Sequence, residues 1–363
     1  MMITHSQSNH MKKHHPYKKN HYGFLTILLL VSICLPPASA ISQTDKKPLV
    51  VYTNRKEDLL KPLLTQYAKQ HHIKLQVYYG GNSLIERIKQ ESINSPADIV
   101  ITQNVAMVEQ LKKSGLTNPL PLSITSSIPK NFIERRRQWA GVSYRARIIV
   151  VRKNSPAENI ANMQQLADKK WHNSVCLRDG FHPYNLGLFS ALRVYMNNAK
   201  MKKYLIHLKN NLVQKPGGSD RDQIKLVYNG RCQIAIANSY YYGLLKKEIP
   251  DLASKTTPLL VSLTSRTLGD GVATNLSAVA VMKNAKHKKT AEHLVGFLLS
   301  DTAQTYFMVK NNEYPVMPSI AWGDNLLSLD GKKFRSDYRA MVRSYKYYPF
   351  IIKTLLAINF NQN

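Results

Sequence analysis

The chain is short of cysteine, short of acidic side chains and without a recognisable catalytic motif. Three cysteines in 363 residues are too few for a disulfide-dense scaffold, and they show no zinc-finger spacing. Asp and Glu number 22 against 51 Lys and Arg. Gly-x-Ser-x-Gly, His-Glu-x-x-His and a Gly-rich phosphate loop ending in Lys-Ser/Thr are all absent. Gly217-Gly-Ser-Asp-Arg-Asp222 is too glycine-poor for a phosphate loop and reads as a helix cap. Of twelve histidines, five lie before residue 41, and His71-His72 read as a solvated loop. No nucleophile and base are paired by spacing, so no enzyme is expected. Internal repeats and low-complexity tracts are also missing. What remains is 44% apolar content, ample for two lobes.

Residues 1–40 read as a cleavable signal peptide. Lys12, Lys13, Lys18 and Lys19 supply the basic region, Phe24–Leu35 the apolar core, and Ala38-Ser-Ala40 the small-residue cleavage pattern. The apolar core is too short to span a bilayer comfortably. Removing those four lysines from a segment with no acid lowers the net charge from +29 to +25. An exported, strongly basic protein favours anionic partners. Nucleic acid is not expected among them, because no helix clusters arginines. Export also makes Cys176 and Cys232, the pair left after Cys34 departs, a candidate disulfide. Two buried thiols are the alternative.

Strand and helix patterns alternate from Leu49 onward, which predicts a mostly parallel α/β fold. Leu49–Thr53, Ile73–Tyr79 and Ala97–Thr102 read as strands, with helices near 58–70, 82–91 and 105–114. Arg145–Arg152 reads as a long strand, after which the pattern restarts. Helices are expected near 163–167, 185–198, 201–210, 219–228 and 289–300, with strands at 175–177, 233–237 and 277–282. Two α/β lobes joined by shared strands enclose a cleft suited to a small ligand.

Tyrosine is the abundant reactive type, with twenty copies. Tyr240-Tyr241-Tyr242 follow the strand Gln233–Ala237 and the turn residues Asn238-Ser239, at a strand end that would face such a cleft. Phenolate is a hard oxygen ligand suited to a cation such as Fe(III). A free phenol has a pKa of about 10, so a bound cation must stabilise the phenolate. Metal binding, stacking on a ligand and plain packing are all open on this basis.

Several segments in register resemble the periplasmic ferric-ion-binding proteins of bacterial ABC importers. They include Val51-Tyr-Thr-Asn-Arg55, Ser95-Pro-Ala-Asp-Ile-Val-Ile-Thr102, Arg145-Ala-Arg-Ile-Ile-Val150, Ala237-Asn-Ser-Tyr-Tyr241 and Asn311-Asn-Glu-Tyr-Pro-Val316. The resemblance covers most of residues 48–317. It implies a two-lobed Venus-flytrap fold that holds Fe(III) in the cleft. Tyr240 and Tyr241 match the family's tyrosine pair, and Tyr184 matches its third tyrosine. Tyr242 matches no ligand. Cys176 and Cys232 each stand eight residues before a tyrosine site, so their disulfide would fix the two ligand segments together.

The chain departs from the family at Lys56-Glu57, where many relatives carry His-Tyr. Lys56 repels a cation, while Glu57 is a candidate oxygen ligand. Carbonate or citrate is expected to fill the remaining positions as a synergistic anion. Its seat is expected at Arg145 or Arg55, with Lys56 and Arg178 as further candidates. The resemblance divides the chain into residues 41–147 (lobe 1, first part), 148–272 (lobe 2), 273–315 (lobe 1, second part) and 316–363 (C-terminal helices on lobe 2). It implies a periplasmic monomer that hands iron to an inner-membrane ABC permease. Another anionic or small organic ligand, such as a ferric chelate, a phosphonate or a thiamine-like molecule, is the alternative.

Overall fold

A computed structural model describes residues 47–81, 83–264, 270–328, 335–336 and 342–362. The signal peptide read at residues 1–40 lies outside the described residues. Among those residues no helix is long and apolar enough to cross a membrane.

The chain begins with β1 (Leu49–Thr53), α1 (Glu57–Gln70), β2 (Leu75–Tyr79), α2 (Leu84–Glu91), β3 (Ile99–Thr102), α3 (Val105–Lys113), β4 (Thr117–Asn118) and α4 (Leu122–Thr125). β1 lies parallel between β2 and β3. A strand covered on both faces can be continuously apolar, as Leu-Val-Val-Tyr is here. Leu60, Leu63, Leu64 and Tyr67 form one stripe of α1 and are all buried, which is the 3.6-residue period at work.

The thirteen residues of β5 (Ala140–Arg152) join the two lobes. Its first half pairs with β10 (Thr274–Met282) and β11 (Tyr314–Pro315), while Arg147–Arg152 pair with β7 (Ile234–Asn238) and β8 (Thr256–Leu259). Between β5 and β10 the chain forms β6 (Val175–Cys176), α5 (Pro183–Arg193), α6 (Asn198–Asn210), α7 (Asp220–Tyr228), β7, α8 (Ser239–Glu248), α9 (Leu252–Lys255), β8 and β9 (Asp270–Val272). β10 returns antiparallel between β3 and β5. α10 (Lys288–Leu298), α11 (Asp301–Val309) and β11 complete the first lobe. The central order is β2-β1-β3-β10-β5-β7-β6. One apolar cluster runs from β1, β3 and β10 through β5 to α8, and a second fills the far side of β5 and β7 against α5 and α6.

The sheet is mixed rather than mostly parallel, because β10 and β5 run antiparallel to their neighbours, and three further features differ from the sequence reading. The helix expected at 185–198 is α5, which ends at Arg193, and the helix expected at 201–210 is α6, which begins earlier at Asn198, where the Asn197 side chain accepts from the Lys200 N–H at 2.9 Å. Tyr240–Tyr242 lie in the first turn of α8, not at a bare strand end. The long strand begins five residues earlier than expected, at Ala140.

α12 (Tyr348–Ala357) packs against α5. Just beyond it, Phe360 meets the loop before α5. A Cβ on Gly180 would stand 2.6 Å from the Phe360 ring, so glycine is required for this approach. The Gly180 N–H donates to Asn361 Oδ1 at 3.0 Å, and Asn361 Nδ2 donates to Asp179 Oδ1 at 2.6 Å.

Cys176 and Cys232 form a disulfide, with Cα atoms 5.9 Å apart and a sequence separation of 56. It bridges β6 to the entry of β7. Replacing both cysteines by alanine should lower unfolding free energy by about 2–4 kcal/mol, because the loop closed in the unfolded chain is released. Denaturant unfolding of the oxidised protein and the double variant measures the difference. Equal midpoints and slopes would contradict it.

Candidate metal centre

The site is built where two helices begin. Tyr184 is the second residue of α5, after Pro183, whose fixed φ suits a first helical position. The His182 side chain caps that helix, accepting from the Tyr184 N–H at 3.2 Å. Burial, with the Arg178 charge adding to it, pushes the His182 imidazole down to about 4. It is therefore neutral at ordinary pH, as an accepting cap must be. Tyr240 and Tyr241 are the second and third residues of α8. The positive end of a helix favours anionic oxygens beside it, and both tyrosine segments sit at such an end.

Tyr184, Tyr240 and Tyr241 converge. The rings of Tyr240 and Tyr241 are 4.0 Å apart between centroids, tilted by 31°. Burial raises the Tyr240 phenol well above its ordinary value, and the neighbouring Tyr184 and Tyr241 raise it further. Tyr241 is pushed up to about 12, by burial first and then by Tyr184. Tyr242 stands two helical steps, about 200°, from Tyr240, and its ring leaves the cluster. The Tyr242 hydroxyl instead meets the Thr256 carbonyl and hydroxyl, each at 3.2 Å.

A buried polar network holds the tyrosine segments in register. Arg147, on β5, has no exposed surface in its side chain. It donates to Asp220 Oδ2 at 2.7 Å, Asn185 Oδ1 at 2.8 Å and Asn238 Oδ1 at 3.2 Å. Asn185 follows Tyr184, and Asn238 stands two residues before Tyr240. Asp220, at the start of α7, also accepts from the Asn238 N–H at 2.8 Å and from Arg178 Nη1 at 3.2 Å. The sequence reading missed Arg147, Asn185, Asp220 and Asn238 as positioning residues. Their types carry no motif, and only the fold brings them together.

The cationic candidates divide into two pairs. Arg178 stands 5.3 Å from the Tyr184 ring centre, and Lys56 Nζ stands 5.8 Å from that of Tyr241. Arg55 and Arg145, the two arginines expected as anion seats, lie instead in a buried knot around Glu313. Arg55 Nη2 donates to both Glu313 oxygens at 2.9 Å. Arg145 donates to Ser277 Oγ and to the Gln103 carbonyl, and lies 3.6 Å from Glu313. Burial alone would raise the Glu313 carboxyl, but Arg55 and then Arg145 outweigh it and hold it low. Arg145 still reaches the site as a charge, since it acts to lower the Tyr240 phenol. Gln103 reaches it from the opposite lobe, with Oε1 at 3.5 Å from the Tyr184 hydroxyl.

Glu57 is not brought to the tyrosines. Its carboxylate pairs with Lys61 at 2.7 Å, about half exposed, and it faces a surface cavity beside Tyr79. The first turn of α1 turns Glu57 away from the direction of Lys56. Among the described residues, no three His, Cys, Asp or Glu side chains gather as a metal site. Oxygen from tyrosine is what the site offers.

Two α/β lobes joined through β5 and β10, with tyrosine-bearing helix starts facing the other lobe, define a two-lobed solute-binding protein. Residues 49–310 match the bacterial extracellular solute-binding protein family. The chain belongs to that family. A Synechocystis protein named iron uptake protein A1 is 29% identical over 315 residues, covering 85% of this chain and 87% of its own. The crystal structure of the apo ferric ion-binding protein A of Pasteurella haemolytica superposes with a TM-score of 0.78 at 29% identity, over 87% of this chain and 98% of that one. A Trichodesmium protein in complex with iron and citrate superposes with a TM-score of 0.76 at 28% identity, over 86% of this chain and all (100%) of that one. The resemblance to ferric-ion-binding proteins read from the sequence is thus shown across nearly the whole fold.

Proposed function

We propose that the protein captures Fe(III) between its lobes through the phenolates of Tyr184, Tyr240 and Tyr241, and delivers it as a periplasmic monomer to an ABC importer. The observation that carries this reading is the convergence of three buried phenols on two helix starts. Near neutral pH such phenols stay protonated unless a highly charged cation replaces their protons. Fe(III) is such a cation and prefers hard oxygen ligands. The names of the relatives and the iron–citrate complex of a similar structure support the same cargo.

Three phenolates leave coordination positions over. Carbonate or citrate fills them, and Lys56 and Arg178 supply positive charge beside the tyrosine rings for that anion. Arg145 contributes through its charge alone. Binding, lobe closure and release make up the cycle, with no covalent turnover.

Titration with ferric citrate tests the reading. A visible tyrosinate-to-iron charge-transfer band should grow to saturation at one iron per chain. Acid should weaken binding, because protonation of Tyr240 and Tyr241 competes with the metal. At fixed free Fe(III), the apparent log K should rise with pH below the phenol pKa values, by about one per pH unit for each phenol whose proton the metal displaces. A folded protein that gives no band, or an affinity independent of pH, would sink the proposal.

A further inference from the structure

We propose that the face formed by α6 and α12 is a docking surface for an anionic phospholipid membrane. Both helices lie against α5, and their buried sides share one apolar cluster that contains Leu205, Leu208, Ile351 and Leu355. Lys209 Nζ donates to the Ile358 carbonyl at 3.2 Å, which ties the C-terminal end of α6 to the end of α12. Their C-terminal ends therefore lie together.

That face combines aliphatic groups with lysine. On α6, Lys202, Ile206 and Lys209 recur at spacings of four and three, which places them on one side of the helix. On α12, Ile352, Lys353 and Leu356 share the outer side. Ile206 and Ile352 are each 36% exposed and Leu356 is 61% exposed. They are three of the seven most exposed large apolar side chains among the described residues. No packing demand explains them, because the buried stripes of both helices are filled by other residues. Acidic residues are absent from the sequence between Gly180 and Ser219 and again between Tyr338 and Asn363. No carboxylate from either segment offsets the lysines.

Aliphatic side chains set among flexible lysines suit a lipid surface. The apolar groups enter the headgroup boundary while the ammonium groups meet lipid phosphates. A protein partner is disfavoured by the same composition. Protein interfaces enrich Tyr, Trp and Arg and deplete Lys, and this face presents Lys with Ile and Leu. The charge complementarity extends over the molecule, whose processed chain retains a net charge of +25 once the four lysines of residues 1–40 are taken from the +29 of the whole. An iron carrier held loosely on a membrane would search for its transporter in two dimensions.

The test is co-flotation of protein recovered from the periplasm of an expressing host. Vesicles of phosphatidylcholine mixed with phosphatidylglycerol should carry the protein at low ionic strength, pure phosphatidylcholine should not, and salt should release it. The double variant Lys202→Gln/Lys353→Gln should lower the partition coefficient about thirtyfold, and Leu356→Ser about tenfold. Lys61→Gln/Lys69→Gln, on α1 of the other lobe, should change it little. The proposal is overturned if the wild-type protein does not float, or if the α1 variant loses as much binding as the α6/α12 variant. It is also overturned if Leu356→Ser has no effect while polyglutamate strips the protein from vesicles, which would assign the face to an acidic polypeptide. Iron titration of each variant reports separately on the cleft.

Discussion

Tyr241→Phe removes the visible band that ferric citrate raises in the wild-type protein and weakens iron binding by more than about a hundredfold. Losing a group that merely orients a metal ligand already costs about 10–100-fold, and here the ligand itself is lost. The substitution keeps the ring, which is 4.0 Å from that of Tyr240, so packing is preserved and folding should be unaffected. Tyr242→Phe is the matched control on the same helix turn. Its hydroxyl is engaged with Thr256, so its removal should cost about 1 kcal/mol of stability and leave the band intact. Absorption titrations of the three proteins decide the matter. A full-strength band in Tyr241→Phe, or its loss in Tyr242→Phe, would remove the basis for dividing these neighbours.

The second large effect is on stability. Asp220→Ala should destabilise the protein by about 3–5 kcal/mol, because it leaves a fully buried guanidinium without its counter-charge. Asp220 and Arg147 have no exposed side-chain surface, and Asp220 also takes a bond from Arg178. Asp220→Asn should recover part of the loss, since one oxygen remains to accept. Both variants should also bind iron more weakly, through Arg147 and its contacts to Asn185 and Asn238. Denaturant unfolding gives the first quantity and ferric citrate titration the second. A loss below about 1 kcal/mol, the value of an ordinary neutral hydrogen bond, would mean the network is not what holds the helix starts.

The parts of the fold legible in the sequence were those in which one strand or helix face is buried by local pattern. β1 and β3 are uninterrupted apolar runs, and α1 repeats leucine at helical spacing. The parts that escaped depend on distant partners. Ala140–Tyr144 contains Gly141 and Ser143 and has weak strand character by itself. It is strand because β10 and β11 bond to it from more than 130 positions away. Three tyrosines before Gly243 read as a strand end, since aromatic residues favour strands, yet tertiary packing makes them the first turn of α8.

The candidate site divides in the same way. The tyrosines were legible by type and by family resemblance. The charged groups were not, because a guanidinium is defined by what it faces. Arg55 and Arg145 stand in the family-like segments but turn to Glu313. Arg147, two residues further along β5, stands where the strand's partner has changed from β10 to β7, and it joins the tyrosine segments through residues 38, 73 and 91 positions away. Glu57 follows Lys56 directly, and one helical step sends the two side chains to different surroundings.

The contact between Phe360 and Gly180 sets a limit on when the cleft can be finished. Asn361, which accepts the Gly180 N–H, comes 181 positions later in the chain. In a polypeptide emerging from its N-terminus, whether from a ribosome or a translocation pore, the loop leading to Tyr184 lacks this brace until Phe360 and Asn361 have followed. Local helices can form early, but this closure is among the most non-local in the molecule, and such contacts form slowly. Tyr240 and Tyr241 can therefore be in place before the loop ahead of Tyr184 has gained its last contacts, and the three phenols reach their final arrangement only after Phe360 and Asn361 dock.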